Sequence, residues 1–206
     1  MEVYSNENEQ IDALKGFFAQ NGKALVIGVV IGVAALAGWR YWNSHQDNRH
    51  IEASAAWQQV STRLDNSKPE TLDAATKFAS ENPNTYGAIA SLELAKRYVD
   101  NNQLDKAAAQ LQSGLQDTKD ANLQAVLNLR LARIQLQLKQ PEEALKTLDA
   151  VKGDGWTAIV ADVRGEALLS KGDNNGARDA WNKGIASDAS PALKEMLQMK
   201  MNNLPG

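Results

Sequence analysis

The sequence predicts an all-α protein in which a single N-terminal transmembrane helix is followed by an array of helical hairpins. Three observations carry this prediction. One run of sixteen residues, Ala24–Trp39, contains no charged or strongly polar side chain. After Trp42, apolar residues recur at helical spacing between turn signals, without the sustained alternation that marks strands. In the same region, an alanine followed four residues later by a bulky side chain recurs at nearly regular intervals.

The composition restricts the class of function before any motif is considered. The 206 residues carry 22 basic and 25 acidic side chains, and no basic stripe is present, which argues against a nucleic-acid partner. The chain has no cysteine, so disulfides, thiol nucleophiles and thiolate zinc sites are excluded. A hydrophobic fraction of 43% is too high for a wholly disordered chain.

The first element is the transmembrane helix, which we expect over residues 23–42 after a short N-terminal segment, 1–22. Eight of the sixteen apolar residues are Leu, Ile or Val, and together they favour insertion by about 2–5 kcal/mol. Lys23 and Arg40 bracket the run, and their long side chains can extend toward water. Three aromatic residues cluster at one end, where interfacial side chains belong: Trp39, Tyr41 and Trp42. A buried core helix is the disfavoured alternative, since core helices seldom stay apolar on all sides for this length.

Three details of this helix leave alternatives open. Residues 35–37 resemble a signal-peptidase site, but the leader is long and acidic, so we expect an uncleaved anchor. Gly28 and Gly32 form a GxxxG pattern, and we expect them to contact a partner helix. The alternative is that glycine is simply frequent in membrane helices. Basic residues balance on the two sides, so the positive-inside rule leaves the orientation open.

The second part of the chain is expected to comprise a juxtamembrane helix or linker, 43–68, and a repeat domain, 69–206. Clusters of Asn, Asp, Gly and Pro predict the turns between its helices. These clusters are Asn66–Pro69, Asn82–Asn84, Asp100–Asn102, Lys139–Pro141, Gly153–Gly155, Lys171–Asp173 and Asp188–Pro191. Ser190 followed by Pro191 predicts the N-cap and first turn of a last helix.

The repeat is defined by four alanines spaced 33, 37 and 33 residues apart. This spacing is close to the ~34-residue period of tetratricopeptide repeats, in which a small residue lets paired helices approach closely. The alanines and their bulky partners are Ala74 with Phe78, Ala107 with Leu111, Ala144 with Leu148, and Ala177 with Trp181. Gly172 and Asn102 take the turn position of the last and second repeats. We therefore predict a tetratricopeptide-like helical-hairpin array with a C-terminal capping helix; the alternative is an unrelated bundle with accidental periodicity.

The first helices of tetratricopeptide repeats line a concave groove, which is the candidate site for a peptide or partner. Transferring those positions selects Ile89, Leu92, Lys96, Val99, Val126, Leu129, Arg133, Leu136, Ile159, Asp162, Glu166 and Leu169. Eight of the twelve are apolar, which suits an exposed hydrophobic segment or a partner's helix. Two alternatives stay open. The C-terminal segment 192–201 fills the groove, or the register is misread.

Signals of catalysis are missing from the sequence. His45 and His50 are the only histidines, and at a spacing of five they do not share a helix face as a metal pair would. No glycine-rich phosphate loop is present. We therefore expect a protein that is not an enzyme and that uses no cofactor or metal.

Three segments resemble the YfgM family of ancillary SecYEG translocon subunits. They are the exit of the anchor, Gly38–Gln46; the pair Asn84–Gly87 and Ala90–Ala95; and the segment Gly165–Asp173. The resemblance covers essentially the whole chain. It implies a single-pass protein of the bacterial inner membrane, with a cytoplasmic N-terminus and a periplasmic C-terminal domain, and it carries over no catalytic residues.

The same resemblance implies the partners. These are the SecYEG translocon, a membrane-anchored periplasmic prolyl isomerase, periplasmic chaperones with unfolded polypeptides, and membrane lipid. The expected function is that of a non-catalytic adaptor, which binds translocon partners and emerging polypeptides and links them to chaperones. The alternative is a structural assembly factor that braces a membrane complex without binding clients.

Overall fold

A computed structural model describes residues 7–65 and 68–204, and within these ranges the regular structure is entirely helical. The helices are α1 Glu7–Ser61, α2 Pro69–Glu81, α3 Thr85–Asp100, α4 Leu104–Asp117, α5 Ala121–Gln137, α6 Pro141–Asp149, α7 Thr157–Ser170, α8 Asn174–Ala186 and α9 Pro191–Asn202. A short 3-10 helix, Asp154–Trp156, precedes α7. The predicted all-α class is confirmed. The first residues of the expected segment 1–22, and the turn residues Asn66 and Ser67, lie outside the described ranges.

The helix α1 contains the predicted membrane segment. Between Leu14 and His45 it is long and apolar enough to cross a membrane, and none of its most apolar window is buried within the chain. Val29 and Leu36 are 65% and 66% exposed, although water would disfavour such a continuous apolar surface. These features are consistent with a membrane anchor and not with the core helix of a soluble domain.

The chain divides into two compact units, Met1–Glu52 and Ala53–Gly206. The second unit contains the residues expected to form the repeat domain, 69–206, together with the end of α1. The reason is packing: Ala53 is buried, and the ring of Trp57 lies 5.5 Å from the ring of Phe78 in α2. The end of α1 therefore serves as the first helix of the first hairpin, in the region expected to be a juxtamembrane helix or linker.

Successive helices of the repeat domain pair and stack on their neighbours. The main pairs are α3 with α4, α5 with α6, and α7 with α8, while α9 packs against α8. Four apolar clusters follow one another along the stack, the first between α1, α2 and α3 and the last between α7, α8 and α9. Each hairpin thus buries its apolar face against the next one, as repeat domains do.

The repeat register holds in three of the four repeats. Ala107 with Leu111, Ala144 with Leu148, and Ala177 with Trp181 are all at most 1% exposed. In the first repeat the prediction is corrected, because Ala74 is exposed while Ala75 is fully buried. The buried residues of α2 are Ala75, Phe78 and Ala79. The buried small residue is therefore one position later than the predicted Ala74, on the face of α2 that contacts the end of α1.

Most turns lie at the residues that the turn signals predict. Gly172 and Asn102 have φ values of +81° and +56°, as their turn positions require, and Lys139 adopts the same conformation at +62° in the third repeat. Ser190 caps α9 by accepting a hydrogen bond from the amide of Leu193. The turn before α5 was not predicted, since it contains neither Gly nor Pro. There, the Asp120 carboxylate caps the helix by accepting from the amide of Leu123 at 2.8 Å.

Candidate peptide-binding groove

An open groove lies between the end of α1, α3 and α5; we call it the first-helix groove. It consists of two cavities. The larger, about 640 Å³, is lined by Trp57, Ser61, Ile89, Leu92, Glu93, Lys96 and Arg130. The smaller, about 400 Å³, is lined by Ala95, Lys96, Val99, Leu111, Arg130, Arg133, Ile134 and Gln137. The cavities share Lys96 and Arg130, so these two cations lie at the middle of the groove.

All four candidate residues of α3 line this groove. Ile89 and Leu92 lie in the larger cavity, Val99 lies in the smaller one, and Lys96 lies in both. Their spacing of three or four residues places them on one face of the helix. The opposite face of α3 is buried, with Leu94 fully covered, and this packing points the candidate residues toward the groove.

The candidate residues of α5 are divided between groove and core. Arg133 lines the smaller cavity. Leu129 is only 4% exposed and packs in a core cluster with Val163, against which Leu136 also packs. Val126 is half-buried and lines neither cavity. Leu129 therefore stabilises the fold and offers no surface to a ligand.

Three groove residues of α5 were not predicted: Arg130, Ile134 and Gln137. The transferred repeat positions select Val126, Leu129, Arg133 and Leu136, whereas Arg130, Arg133, Ile134 and Gln137 are the residues of α5 that line the groove. The predicted groove face of α5 is therefore rotated about the helix axis relative to the observed one. The available signal is their own spacing of three or four residues, which marks a common helix face. Sequence alone does not indicate that this face, rather than the one through Leu129, borders open space.

The candidate residues of α7 lie away from the two cavities. Ile159 packs against the core cluster of α5 and α7, and Leu169 is 37% exposed. Asp162 is only 5% exposed, and its carboxylate pairs with Lys200 of α9 and, at 3.5 Å, with Arg133 of α5. Glu166 pairs with the same lysine.

The Lys200 pairs connect α9 to the first-helix face of the last repeat. Burial by itself lowers the pKa of Lys200, but its hydrogen bonds to Asp162 and Glu166 outweigh this effect and raise the pKa above its ordinary value. Leu197 and Met201 hold the other side of α9 against Trp181. Neither cavity between the end of α1, α3 and α5 is lined by a described residue of α9. The C-terminal helix α9 thus covers the side of the repeat domain formed by the first helix of the last repeat, α7. The same side of the domain stays open at α3 and α5.

Gly28 and Gly32 lie on the exposed surface of α1. A Cβ atom added at either position would meet no other described atom within 4 Å, so the glycine face has room for a second helix. His45 stacks on Tyr41, with ring centroids 6.5 Å apart; the side chain of His50 lies outside the described atoms. Within the described ranges, no group of three His, Asp or Glu residues is arranged to hold a metal ion.

Comparison with known proteins supports the same architecture. The family model of the tetratricopeptide repeat-like domain matches residues 15–206. An ancillary SecYEG translocon subunit of Escherichia coli (strain K12) is 65% identical over 204 residues, which is 99% of each chain. A protein of the same name from Haemophilus influenzae is 32% identical, covering 98% of this chain and 100% of its own length. In Aggregatibacter actinomycetemcomitans the corresponding protein is 30% identical, with the same coverage. The chain therefore belongs to the family of ancillary SecYEG translocon subunits, whose repeat-like domain it carries.

Proposed function

We propose that this chain is a membrane-anchored, non-catalytic accessory subunit of the Sec translocon in the bacterial inner membrane. The observation that carries the proposal is the 65% identity to the E. coli ancillary subunit, which extends over 99% of both chains. The apolar segment Leu14–His45 supports the membrane anchor. Because the match runs through both the anchor and the repeat domain, it supports a shared role for the whole protein rather than for one domain.

The finer part of the proposal concerns what the repeat domain does. The N-terminus is cytoplasmic, and the domain lies in the periplasm, where its groove holds emerging polypeptides and links them to periplasmic chaperones. A membrane-anchored prolyl isomerase is a further partner. The half-buried apolar side chains of Ile89, Leu92 and Val99 beside open cavities support binding of an unfolded segment, since such grooves combine apolar area with a few polar groups.

Gly28 and Gly32 are proposed to contact a helix of a partner within the membrane. Small residues at this spacing let two helix backbones approach closely, which favours helix association in lipid through van der Waals packing. The open space beside both glycines supports this role.

The second candidate function is a brace that assembles a membrane complex without binding clients. It is favoured by the burial of Leu129, which leaves the first-helix face less apolar than the sequence predicts. The two functions differ in what the first-helix groove contacts, and in both the translocon remains the partner of the anchor.

Co-purification from membranes tests the accessory role. The tagged full-length chain, extracted in mild detergent, should recover the SecYEG translocon, and a tagged unrelated single-span protein should not. Protease treatment of spheroplasts should degrade the repeat domain of the full chain while leaving its N-terminus protected. Degradation only after lysis would reverse the proposed orientation.

A separate assay distinguishes the adaptor from the brace. The full-length chain in lipid nanodiscs should suppress the aggregation of a chemically unfolded protein, compared with empty nanodiscs. Photoreactive residues placed at Leu92 and Val99 should then form cross-links to that protein. Normal translocon recovery without suppression or cross-links would favour the brace.

A further inference from the structure

The middle of the first-helix groove carries positive charge without a compensating acid. Lys96 and Arg130 are exposed and line both cavities. Across the parts of the chain that the structure describes, neither cation has a carboxylate within 4.0 Å. Glu93 lines the larger cavity, but it is already held by Arg97 at 2.8 Å. This local excess of cations occurs although the whole chain has a formal charge of −3.

Apolar side chains flank the two cations on both sides. Trp57, Ile89 and Leu92 line the larger cavity. Val99 lines the smaller one, next to Ile134, which is only 6% exposed and belongs to the core. Since both cavities are lined by Lys96 and Arg130, the groove presents an apolar patch, then a basic centre, then a smaller apolar surface at the half-buried Val99.

We propose that the first-helix groove binds a peptide segment in which acidic side chains lie between two apolar ones. The inference rests on the proposed function and specifies the class of polypeptide that the groove selects. Carboxylates of the ligand meet Lys96 and Arg130, forming charge-assisted hydrogen bonds that a neutral segment cannot make. Its apolar side chains enter the cavities on either side. A peptide suits this arrangement better than a lipid, because an acyl chain would need one continuous apolar track.

Fluorescence anisotropy with two matched peptides tests the inference. One labelled peptide carries two glutamates between two pairs of leucines, and the other has glutamines in place of the glutamates. The full-length chain in nanodiscs of zwitterionic lipid should bind the glutamate peptide roughly tenfold more tightly. That preference should weaken as the salt concentration rises.

Charge-removing variants locate the effect. Lys96→Gln combined with Arg130→Gln should abolish the preference for the glutamate peptide. The matched control, Lys146→Gln combined with Arg178→Gln, removes the same charges from exposed positions of α6 and α8 and should leave it intact. Thermal unfolding should be similar for both double variants, because all four side chains are exposed.

Three results would overturn the inference. These are equal binding of the two peptides, persistence of the preference in the Lys96→Gln and Arg130→Gln variant, and displacement of the peptide by vesicles of phosphatidylglycerol through the same cations. The last would identify a lipid as the occupant. Co-purification of SecYEG with the full chain tests the proposed function separately. If the natural chain shows no preference for the glutamate peptide but SecYEG co-purifies normally, only this inference is contradicted. If the preference is present but SecYEG does not co-purify, only the proposed function is contradicted.

Discussion

Trp181 illustrates how one residue links the repeat pattern to packing. Its ring is 1% exposed, and its indole N–H donates to the carbonyl of Asp162 at 3.1 Å. It lies directly over Gly165, where an added Cβ would come within 2.1 Å of the indole nitrogen. The small residue on α7 and the large one on α8 therefore fit together, which is the physical basis of the repeat pattern.

Trp181→Ala should cost about 3–5 kcal/mol of unfolding free energy, because it leaves a large cavity between α7 and α8. Chemical denaturation of the full chain in detergent, followed by circular dichroism, measures this loss. Trp42→Ala serves as control, since Trp42 is 67% exposed within the chain. A loss below about 1 kcal/mol for Trp181→Ala would show that the register of the last repeat is wrong.

Lys139 provides a second residue-scale prediction. It adopts φ +62° at the turn position where the last repeat has Gly172, and a non-glycine residue pays a steric cost in that region. Lys139→Gly should therefore stabilise the domain by about 0.5–1 kcal/mol. The control Lys146→Gly places the same change inside α6 and should destabilise it. A higher denaturation midpoint for Lys139→Gly alone is the expected result, and a lower one would contradict it.

At the scale of elements, α9 and the end of α1 close the two ends of the stack. Leu197 and Met201 of α9 cover Trp181 in the last apolar cluster, while Trp57 and Val60 of α1 cover the first one. Terminal repeats need such covers because they lack a neighbour on one side. The polar contact of Lys200 with Asp162 additionally fixes where α9 lies on α7.

Lys200→Met should destabilise the domain by about 1–3 kcal/mol, because it leaves the buried Asp162 carboxylate with Arg133 alone as its ion-pair partner in the described chain. The matched control is Lys194→Met on the same helix, for which we expect a change within about 0.5 kcal/mol. Equal effects of the two variants in urea denaturation would show that the ion pairs contribute nothing.

The same contact predicts a pH dependence. The folded-state pKa of Lys200 is raised, so its stabilising effect is fully present below the pKa of the unfolded chain and is lost as pH rises through the folded pKa. The stability difference between the natural chain and Lys200→Met should stay constant near neutral pH. It should shrink in the alkaline range above the ordinary pKa of lysine. A difference that grew with rising pH would have the wrong sign.

At the scale of the whole molecule, an apolar helix is joined in one chain to a repeat domain with its own core. With the anchor in lipid and the repeat domain in water, as proposed, different substitutions impair the two parts. Substitutions in the anchor should affect retention in the membrane and contact with membrane partners. Substitutions in the repeat domain should affect folding and ligand binding.

Gly28→Ile combined with Gly32→Ile should reduce recovery of the translocon while leaving the protein in the membrane. The added side chains block close approach of a partner helix, yet they increase the apolar surface. Recovery in mild detergent and resistance to alkaline carbonate measure the two effects. Val29→Leu with Val33→Leu is the control on the other faces of the helix. If the translocon is recovered fully with both glycines replaced, Gly28 and Gly32 do not form the contact with it.

Local patterns in the sequence determine much of this protein. The apolar run, the caps at Ser190, the turns at Asn102 and Gly172, and the repeats from Ala107 onward all depend on residues close together in the chain. The tertiary structure alone decides the rest. It places the end of α1 in the first hairpin, buries Leu129 and Ala75, and brings Lys200 to Asp162. It also places Lys96 and Arg130 in an open groove, without an ion pair to any carboxylate that the structure describes. The reason is physical: spacing along a helix indicates which residues share a face, whereas only contacts with distant segments determine whether that face meets core, charge or solvent.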